Sequence, residues 1–320
     1  MSDALSQVYR WAQRFSRSAA GAAILLFAIL KIFDLTLSIS VQVTIALIAL
    51  ILGIPHGAID HLITLPQERK SKFITFILIY VLIAIVAGVG IAHWNRIGFQ
   101  SVVLMSSLHF GFGDAAYANE WKDAEGSKRE PFWVVLIYAL PAGFLPVILP
   151  LTDNRALTAL NRINPAISHW SGSLTIFFRN TTLTLAIICC LVLAFTKKIQ
   201  LAIDLLFLAA LSLIAPPLIT FAVYFGCWHA IRHTARLVPK LPKAMSQIEN
   251  GSRSAAIRAA IIPGLYAVVG TLGLATFFLL FGPRSLSYGL LWSTLVIVWS
   301  LTVPHMIATA RFDFGSFGKR

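Results

Sequence analysis

Charged residues are scarce in this chain of 320 residues: only 12% are Asp, Glu, Lys or Arg, whereas 58% are hydrophobic. A soluble domain carries about 25% charged residues, and a disordered chain combines high charge with low hydrophobicity. The composition therefore excludes both classes. The apolar residues form long unbroken runs, which also excludes the alternating pattern of a transmembrane β-barrel. The sequence predicts an all-α fold, a polytopic bundle of transmembrane helices.

Cysteine is rare, and its spacing excludes a disulfide framework or a CxxC metal site. The three cysteines, Cys189, Cys190 and Cys227, all lie in apolar surroundings. We expect them to pack as small apolar side chains.

Acidic residues are few as well, with 13 Asp and Glu against 26 Lys and Arg, which gives a formal net charge of +13. In a soluble protein this balance would indicate nucleic-acid binding. In a membrane protein, basic residues gather in cytoplasmic loops, where they also meet anionic lipid. We therefore expect membrane lipid as a partner and no nucleic acid.

The apolar runs predict about ten spanning helices, because one span needs about 20 mainly apolar residues. The predicted spans are 18–34, 38–65, 73–92, 97–118, 132–151, 174–196, 199–215, 218–236, 257–281 and 286–310. The stretch 199–215 beside Pro216-Pro217 is short, so a re-entrant segment is the alternative there. We expect one integral membrane domain over 1–320, with an N-terminal segment 1–17, a bundle 18–310 and a tail 311–320. The first apolar run follows Arg10, Arg14 and Arg17, as the apolar part of a signal peptide follows basic residues. No small-residue cleavage site for a signal peptidase comes after it, so we predict that it is retained as the first helix.

The distribution of basic residues predicts the orientation. With the N-terminus inside and ten alternating helices, 20 of the 26 Lys and Arg residues fall on the inner side and 6 on the outer side. This bias follows the positive-inside rule. Both termini are therefore predicted to be cytoplasmic, in a multi-pass protein of the cell membrane.

Eight histidines divide into two groups on this topology. His93 and His169 fall at the outer surface, where solvated side chains are expected. The other six share one depth near the inner ends of four spans: His56, His61, His109, His229, His233 and His305. Ionisable groups inside a membrane face the bundle interior or a cavity rather than lipid. Six imidazoles at one depth indicate a metal site.

Helical spacing refines this prediction. His229 and His233 are four residues apart, so both lie on one face of a helix and could bind one metal. His56 and His61 point about 140° apart, so only one of them is expected to face the centre. His56 lies between Pro55 and Gly57, which loosen the helix and allow another helix or a substrate to approach.

Two carboxylates, Asp60 and Asp114, lie within spans close to the histidines. Each could pair with an N–H group or an arginine at a helix end, or could accept the far N–H of a ligating imidazole and fix its tautomer. Asp204 is expected to pair with Lys197 or Lys198.

Aromatic residues flank the histidines and could line a slot for a long apolar substrate. These residues are Phe110, Phe112, Tyr224, Phe225 and Trp228. An all-nitrogen site in such surroundings suits a redox metal, and iron is favoured over zinc because the usual thiolate and carboxylate ligands are missing. The residues thus predict a metal-dependent oxidative enzyme that acts on a lipid-soluble compound.

Four segments resemble the motif blocks of the Brp/Blh family, the integral-membrane β-carotene 15,15'-dioxygenases of bacteria and archaea. They are PHGAIDH at 55–61, HFG at 109–111 with Asp114, YFGCWHAIRH at 224–233, and Pro304-His305. The first and third blocks are distinctive, and the order of the four blocks also matches. The resemblance covers most of the chain.

This resemblance implies cleavage of the central double bond of β-carotene by Fe(II) and O2, which gives two molecules of all-trans-retinal. The iron ligands of the family fall on His56, His109, His229 and His233, and the further candidates are His305 and His61. No general acid or base is expected, because insertion of oxygen across a C=C bond requires no proton transfer. A rhodopsin that accepts retinal is a candidate partner.

Three other functions share part of this pattern. Membrane di-iron desaturases and hydroxylases also act on lipids, but they use about eight histidines, several in HxxHH clusters that this sequence lacks. A bis-His haem protein for electron transfer would also place histidines at equal depth on neighbouring helices. A retinal-binding photoreceptor is discarded, because it needs a central lysine for a Schiff base and Lys31 lies at the end of a span.

Overall fold

The structure of the chain is a computed structural model, and its described residues, 2–64, 70–283 and 289–317, form helices and no strand. The all-α prediction is thereby confirmed. In chain order the helices are α1 (Ser2–Ile32), α2 (Ile39–Gly57), α3 (Asp60–Thr64), α4 (Lys70–His93), α5 (Asn95–Ala124), α6 (Phe132–Leu151), α7 (Asn154–Ile163), α8 (Thr175–Phe195), α9 (Ile199–Ile214), α10 (Pro217–Ala222), α11 (Ala230–Leu237), α12 (Pro242–Glu249), α13 (Arg253–Ile261), α14 (Leu265–Phe281) and α15 (Leu290–Gly315). A π-helical turn, Val223–His229, joins α10 to α11.

Seven helical segments of the described chain are long and apolar enough to cross a membrane. They are Asp3–Ile32, Ile39–Leu62, Ser71–His93, Phe132–Leu151, Gly172–Phe195, Arg253–Phe281 and Leu290–Gly315. Many of their apolar side chains are exposed, such as Leu78 and Val86 on α4. These exposed side chains suit contact with lipid, and the chain is a multi-pass helical membrane protein.

Three of the ten predicted spans are not among these seven segments, and each has a physical reason. The stretch 97–118 lies inside α5, whose later part is polar and charged. The stretch 199–215 forms α9, which has 16 residues and reaches about 24 Å, less than the apolar core of a bilayer. The stretch 218–236 is interrupted by the π-helical turn. The count of ten spans is therefore not confirmed.

The first and last helices extend beyond the spans predicted for them. α1 begins at Ser2 rather than at residue 18, because Val8, Tyr9 and Ala12 form a buried face that packs on the bundle. α15 continues to Gly315, into the predicted tail. The cytoplasmic placement of both termini stays a prediction. Some of the basic residues on which it rests lie outside the described residues: Arg69, Arg284, Lys319 and Arg320.

The three cysteines carry free thiols. Cys189 is buried, and Cys190 and Cys227 are half-buried. The prediction that they pack as small side chains is confirmed.

Close contact between α5 and α6 positions the centre of the bundle. A Cβ atom at Gly111 would lie 1.9 Å from the carbonyl oxygen of Ala139, and one at Gly143 would lie 1.7 Å from that of Ser107. Real Cβ atoms do not approach backbone so closely, so only glycine allows these helices to touch. The contact lies beside His109, which α5 presents to the interior.

A buried ion cluster ties α1 and α9 to α11. Arg17 Nε lies 2.7 Å from Asp204 Oδ1, and Arg232 Nη1 lies 3.0 Å from Asp204 Oδ2. The prediction that Asp204 pairs with Lys197 or Lys198 is therefore wrong. Asp204 lies on the buried face of α9, towards α1 and α11, where the two arginines neutralise it.

Candidate metal site and adjoining cavity

Five histidine side chains converge inside the bundle, and each is at most 7% exposed. They come from α2, α5, the π-helical turn, α11 and α15: His56, His109, His229, His233 and His305. Neighbouring ring centroids are 5.1 to 5.9 Å apart. Nitrogen donors about 2.0–2.1 Å from one shared metal would place ring centroids roughly 5 Å apart at tetrahedral angles. The ring centroids are therefore about as far apart as those of imidazoles that share one metal ion.

His56 is held by its own helix near the point where α2 ends. Its Nδ1 lies in hydrogen-bond contact with the carbonyl oxygen of Gly53. With Nδ1 as the donor, Nε2 carries the lone pair that a metal needs. Gly53 also makes room for the ring of Phe225, which would lie 2.1 Å from a Cβ atom at that position. Phe225 in turn packs edge-on against His56, with ring centroids 5.8 Å apart.

The π-helical turn brings two further imidazoles into the cluster. His229 ends the turn, and His233 follows one turn later on α11. Their ring centroids are 5.9 Å apart, and the ring planes differ by 32°. The shared face that the spacing of four residues predicts is therefore present, although the segment is not one regular helix.

Several imidazole nitrogens of the cluster are buried and have no hydrogen-bond partner among the described residues: His229 Nε2, His233 Nδ1 and Nε2, and His305 Nε2. A buried polar atom without a partner is costly, and a metal ion would satisfy these donors. Within the described residues, no group of three His, Cys, Asp or Glu side chains is positioned to hold a metal ion in the present side-chain conformations. The donor set fits a metal, and binding would require the rings to turn about their side-chain torsions to bring the nitrogens to one ion.

Asp60 is one of the two carboxylates predicted near the histidines, and it contacts an imidazole. Its oxygens lie 2.8 and 2.9 Å from Nδ1 of His305. The hydroxyl of Tyr80 donates to the same carboxylate at 3.0 Å. α2 ends at Gly57 and α3 begins at Asp60, so this short break turns the carboxylate towards α15. Tyr80 was missed by the sequence reasoning, although a lone tyrosine within an apolar span was a signal.

Among the described residues, the hydrogen-bond partners of Asp114 are aromatic side chains and not an imidazole. It accepts from Trp228 Nε1 at 2.8 Å and from the hydroxyl of Tyr224 at 3.4 Å. Asp114 follows His109 by five residues on α5, which turns it about 140° away from that ring. The carboxylate therefore supports the aromatic side chains behind the cluster.

The remaining histidines lie outside the cluster. His61 is half-buried and packs against Phe73, with ring centroids 5.8 Å apart. The predicted divergence of His56 and His61 is therefore observed. His93 and His169 are exposed, as the sequence predicts.

Two arginines beside the clustered histidines, Arg232 and Arg236, are fully buried. The guanidinium of Arg232 stacks on the ring of Trp228, 3.8 Å from its centroid. Arg236 pairs with Glu120 at 3.0 Å and with Asp313 at 2.7 Å. Both arginines therefore fix α11, which carries His233, against neighbouring helices. Arginines at 232 and 236 repeat the spacing of the histidines, and that pattern was an available signal.

An apolar cavity of about 350 Å³ begins at the cluster, where His56, His109 and His305 line it. Its walls include both His305 and Leu291 of α15. A separation of 14 residues on a helix corresponds to about 21 Å, so the cavity is long. At the far end it is lined by apolar residues of α7: Ala156, Ala159, Leu160 and Ile163.

Three of the five aromatic residues expected near a substrate line this cavity: Phe110, Tyr224 and Phe225. The other two face elsewhere. Phe112 packs against Phe314, with ring centroids 5.6 Å apart. Trp228 is fully buried beneath Arg232. The prediction that Phe112 and Trp228 line the slot is wrong, because both point away from the centre.

Comparison with known proteins gives consistent matches. The family model described as Beta-carotene 15,15'-dioxygenase matches residues 47–313. A Beta-carotene 15,15'-dioxygenase of an uncultured marine bacterium is 32% identical over 269 residues, which cover 80% of this chain and 88% of the relative. A Probable beta-carotene 15,15'-dioxygenase Blh of Halobacterium salinarum is 24% identical over 208 residues, 59% of this chain and 60% of that protein. No solved structure matches the chain.

Proposed function

This chain belongs to the β-carotene 15,15'-dioxygenase family, and from that premise we propose that it uses Fe(II) and O2 to cleave the central double bond of β-carotene into two molecules of all-trans-retinal. The observation that carries this proposal is the cluster of buried imidazoles at one end of a long apolar cavity. A carotenoid is dissolved in the bilayer, which is where a multi-pass protein can take it up. We place the enzyme in the cell membrane, and a rhodopsin that accepts retinal is a candidate partner.

In this proposal Fe(II) is held by His56, His109, His229 and His233. Neutral imidazole is a ligand that suits iron, and burial favours the neutral form. The buried nitrogens of His229 and His233 that lack hydrogen-bond partners among the described residues support this assignment. When bound, Fe(II) would supply the one-electron chemistry that activates O2.

The protein's own residues position the polyene and keep water out. Phe110 lines the cavity and packs on His229, and the centroids of their two rings are 4.5 Å apart. Phe110 therefore sets how closely a polyene in the cavity approaches the imidazoles. The apolar walls offer no competing hydrogen bonds and hold an extended hydrocarbon in one direction. In the overall reaction one C=C bond and the O–O bond break, and each carbon receives one oxygen atom. No proton is transferred, so no general acid or base is needed.

The test is expression in cells that already accumulate β-carotene, followed by extraction and chromatography. We expect loss of the orange colour and appearance of retinal with the unaltered chain, and neither change with His229→Ala. His93→Ala and His169→Ala are the matched controls and should cleave normally, because both side chains are exposed.

Retained β-carotene with a folded, iron-loaded protein would contradict the proposed substrate. Two irons per chain would favour a desaturase or hydroxylase, and a Soret band would favour the haem protein. Equal loss of activity in the two exposed-histidine controls would contradict the assignment of the site.

A further inference from the structure

Three side chains from separate helices form a hydrogen-bonded chain that ends at the histidine cluster. The hydroxyl of Tyr80 on α4 lies 3.0 Å from Asp60 Oδ2, and the Asp60 carboxylate lies 2.8 Å from Nδ1 of His305 on α15. Asp60 is 2% exposed and His305 is 5% exposed. These hydrogen bonds therefore connect the half-buried Tyr80 on α4 to the histidine cluster.

The contact with Asp60 determines which nitrogen of His305 carries the proton and which one keeps a lone pair for a metal. A carboxylate only accepts hydrogen bonds, so Nδ1 carries the proton and Nε2 carries the lone pair. Nε2 is buried and has no hydrogen-bond partner among the described residues. The ring centroid of His305 is 5.1 Å from that of His109 and 5.7 Å from that of His233. His305 thus presents a free nitrogen donor among the other imidazoles.

Tyr80 holds the carboxylate in this position. Asp60 begins the short helix α3, directly after the break that ends α2, so its own helix restrains it weakly. The hydroxyl of Tyr80 also lies 3.3 Å from the carbonyl oxygen of Leu301 on α15. Tyr80 therefore joins α4 both to Asp60 and to the helix that carries His305.

We propose that Tyr80 and Asp60 are positioning residues that hold His305 as a fifth nitrogen donor of the metal site. This inference rests on the proposed function, because it assumes that the other four imidazoles bind the metal. A carboxylate or other group that orients a metal-ligating histidine contributes about 10–100-fold to metal affinity or activity. The chain from Tyr80 to His305 has this arrangement.

The test uses the full-length protein in detergent, loaded with Fe(II) and separately with Co(II), whose visible spectrum reports the number of ligands. The variants are Tyr80→Phe, Asp60→Asn and His305→Ala. Tyr266→Phe is the matched control, because Tyr266 on α14 is 81% exposed. Metal affinity, the Co(II) spectrum and the thermal unfolding midpoint are measured for each protein.

We expect Asp60→Asn to weaken Co(II) binding by about 10–100-fold, and Tyr80→Phe to weaken it less. His305→Ala should change the Co(II) spectrum, and added imidazole should restore it by filling the vacated space. A purely structural role would lower the unfolding midpoint but would not give a spectrum that imidazole restores. Tyr266→Phe should match the unaltered protein in every measurement.

Two negative outcomes separate the inference from the proposed function. If the unaltered protein binds metal and cleaves β-carotene while Tyr80→Phe, Asp60→Asn and His305→Ala keep its metal affinity and Co(II) spectrum, the inference is overturned and the proposed function stands. If the unaltered protein binds neither metal, the proposed function itself fails. If His305→Ala does not fold, the spectrum and affinity of the conservative Tyr80→Phe variant decide, and unchanged values overturn the inference.

Discussion

Asp60 and His305 are separated by 245 residues of chain, yet the carboxylate of one lies 2.8 Å from Nδ1 of the other. The contact depends on the break between α2 and α3, since a continuous helix would direct Asp60 differently. Gly264 packs against this break, where a Cβ atom would lie 2.1 Å from the carbonyl oxygen of Pro55. The irregular backbone after His56 is therefore supported by the short turn Ile262–Gly264 that precedes α14.

The contact between α5 and α6 predicts that Gly111→Ala destabilises the bundle. The new Cβ atom would lie 1.9 Å from the carbonyl oxygen of Ala139, which is backbone and cannot turn aside. Overpacking of this kind costs about 1–3 kcal/mol. Thermal unfolding of the purified protein in detergent measures the effect. Gly273→Ala is the control, because nothing lies within 4 Å of its added Cβ atom. Equal midpoints for the two variants would contradict the packing described here.

Asp204→Asn is expected to destabilise the protein far more than an exchange at an exposed ion pair. The side chain of Asp204 is 4% exposed and contacts Arg17 and Arg232. Removal of one partner from a buried pair leaves an uncompensated charge, at a cost of about 3–5 kcal/mol. Asp153→Asn is the control, since the pair between Asp153 and Arg155 is partly exposed, with side chains 32% and 47% accessible. If the two variants unfold at the same temperature, the buried cluster does not stabilise the fold.

The sequence predicted the helical bundle and the meeting of the histidines, because both follow from simple periodicity and depth. Long apolar runs must form helices in lipid, and polar residues at one depth must face the interior. The angle of about 140° between His56 and His61 also predicted that only one of the two rings would join the cluster, and His56 is that ring.

Periodicity and depth could not predict the buried ion pairs or the breaks in the helices. Asp204 has two lysines nearby in sequence, but the packing of α1 and α11 on α9 gives it Arg17 and Arg232 instead. Arg232 can be buried in the bundle because the carboxylate of Asp204 neutralises its charge. The π-helical turn changes the hydrogen-bond register by one residue, and this leaves no mark in the hydrophobic pattern.

A pH-dependent contribution to stability is predicted at Glu130, in the loop between α5 and α6. Burial raises the pKa of this carboxyl, but hydrogen bonds and charge from Lys122 and Lys198 outweigh burial and lower it. A lowered folded-state pKa means that the stabilisation is complete above the unfolded pKa of about 4.3. It is lost as the pH falls through the folded-state pKa.

Glu130→Gln should therefore unfold at a lower temperature than the unaltered protein at neutral pH, by about 2–4 °C. The difference should shrink as the pH falls below about 4.3. Glu125→Gln is the control, because its pair with Arg10 is exposed and contributes little. A difference for Glu130→Gln that stays constant from neutral to acid pH would contradict the electrostatic origin.

The far end of the cavity gives a prediction that separates substrate positioning from metal binding. Ala159 on α7 is 3% exposed and lines the cavity, whereas Leu157 on the same helix is 41% exposed. Ala159→Phe would place a ring where an extended polyene must lie. We expect kcat/KM for β-carotene cleavage to fall by about 10-fold or more, with metal content unchanged because the histidines are at the other end. Leu157→Phe should keep full activity. Unchanged cleavage by a folded Ala159→Phe variant would mean that the polyene does not occupy this end of the cavity.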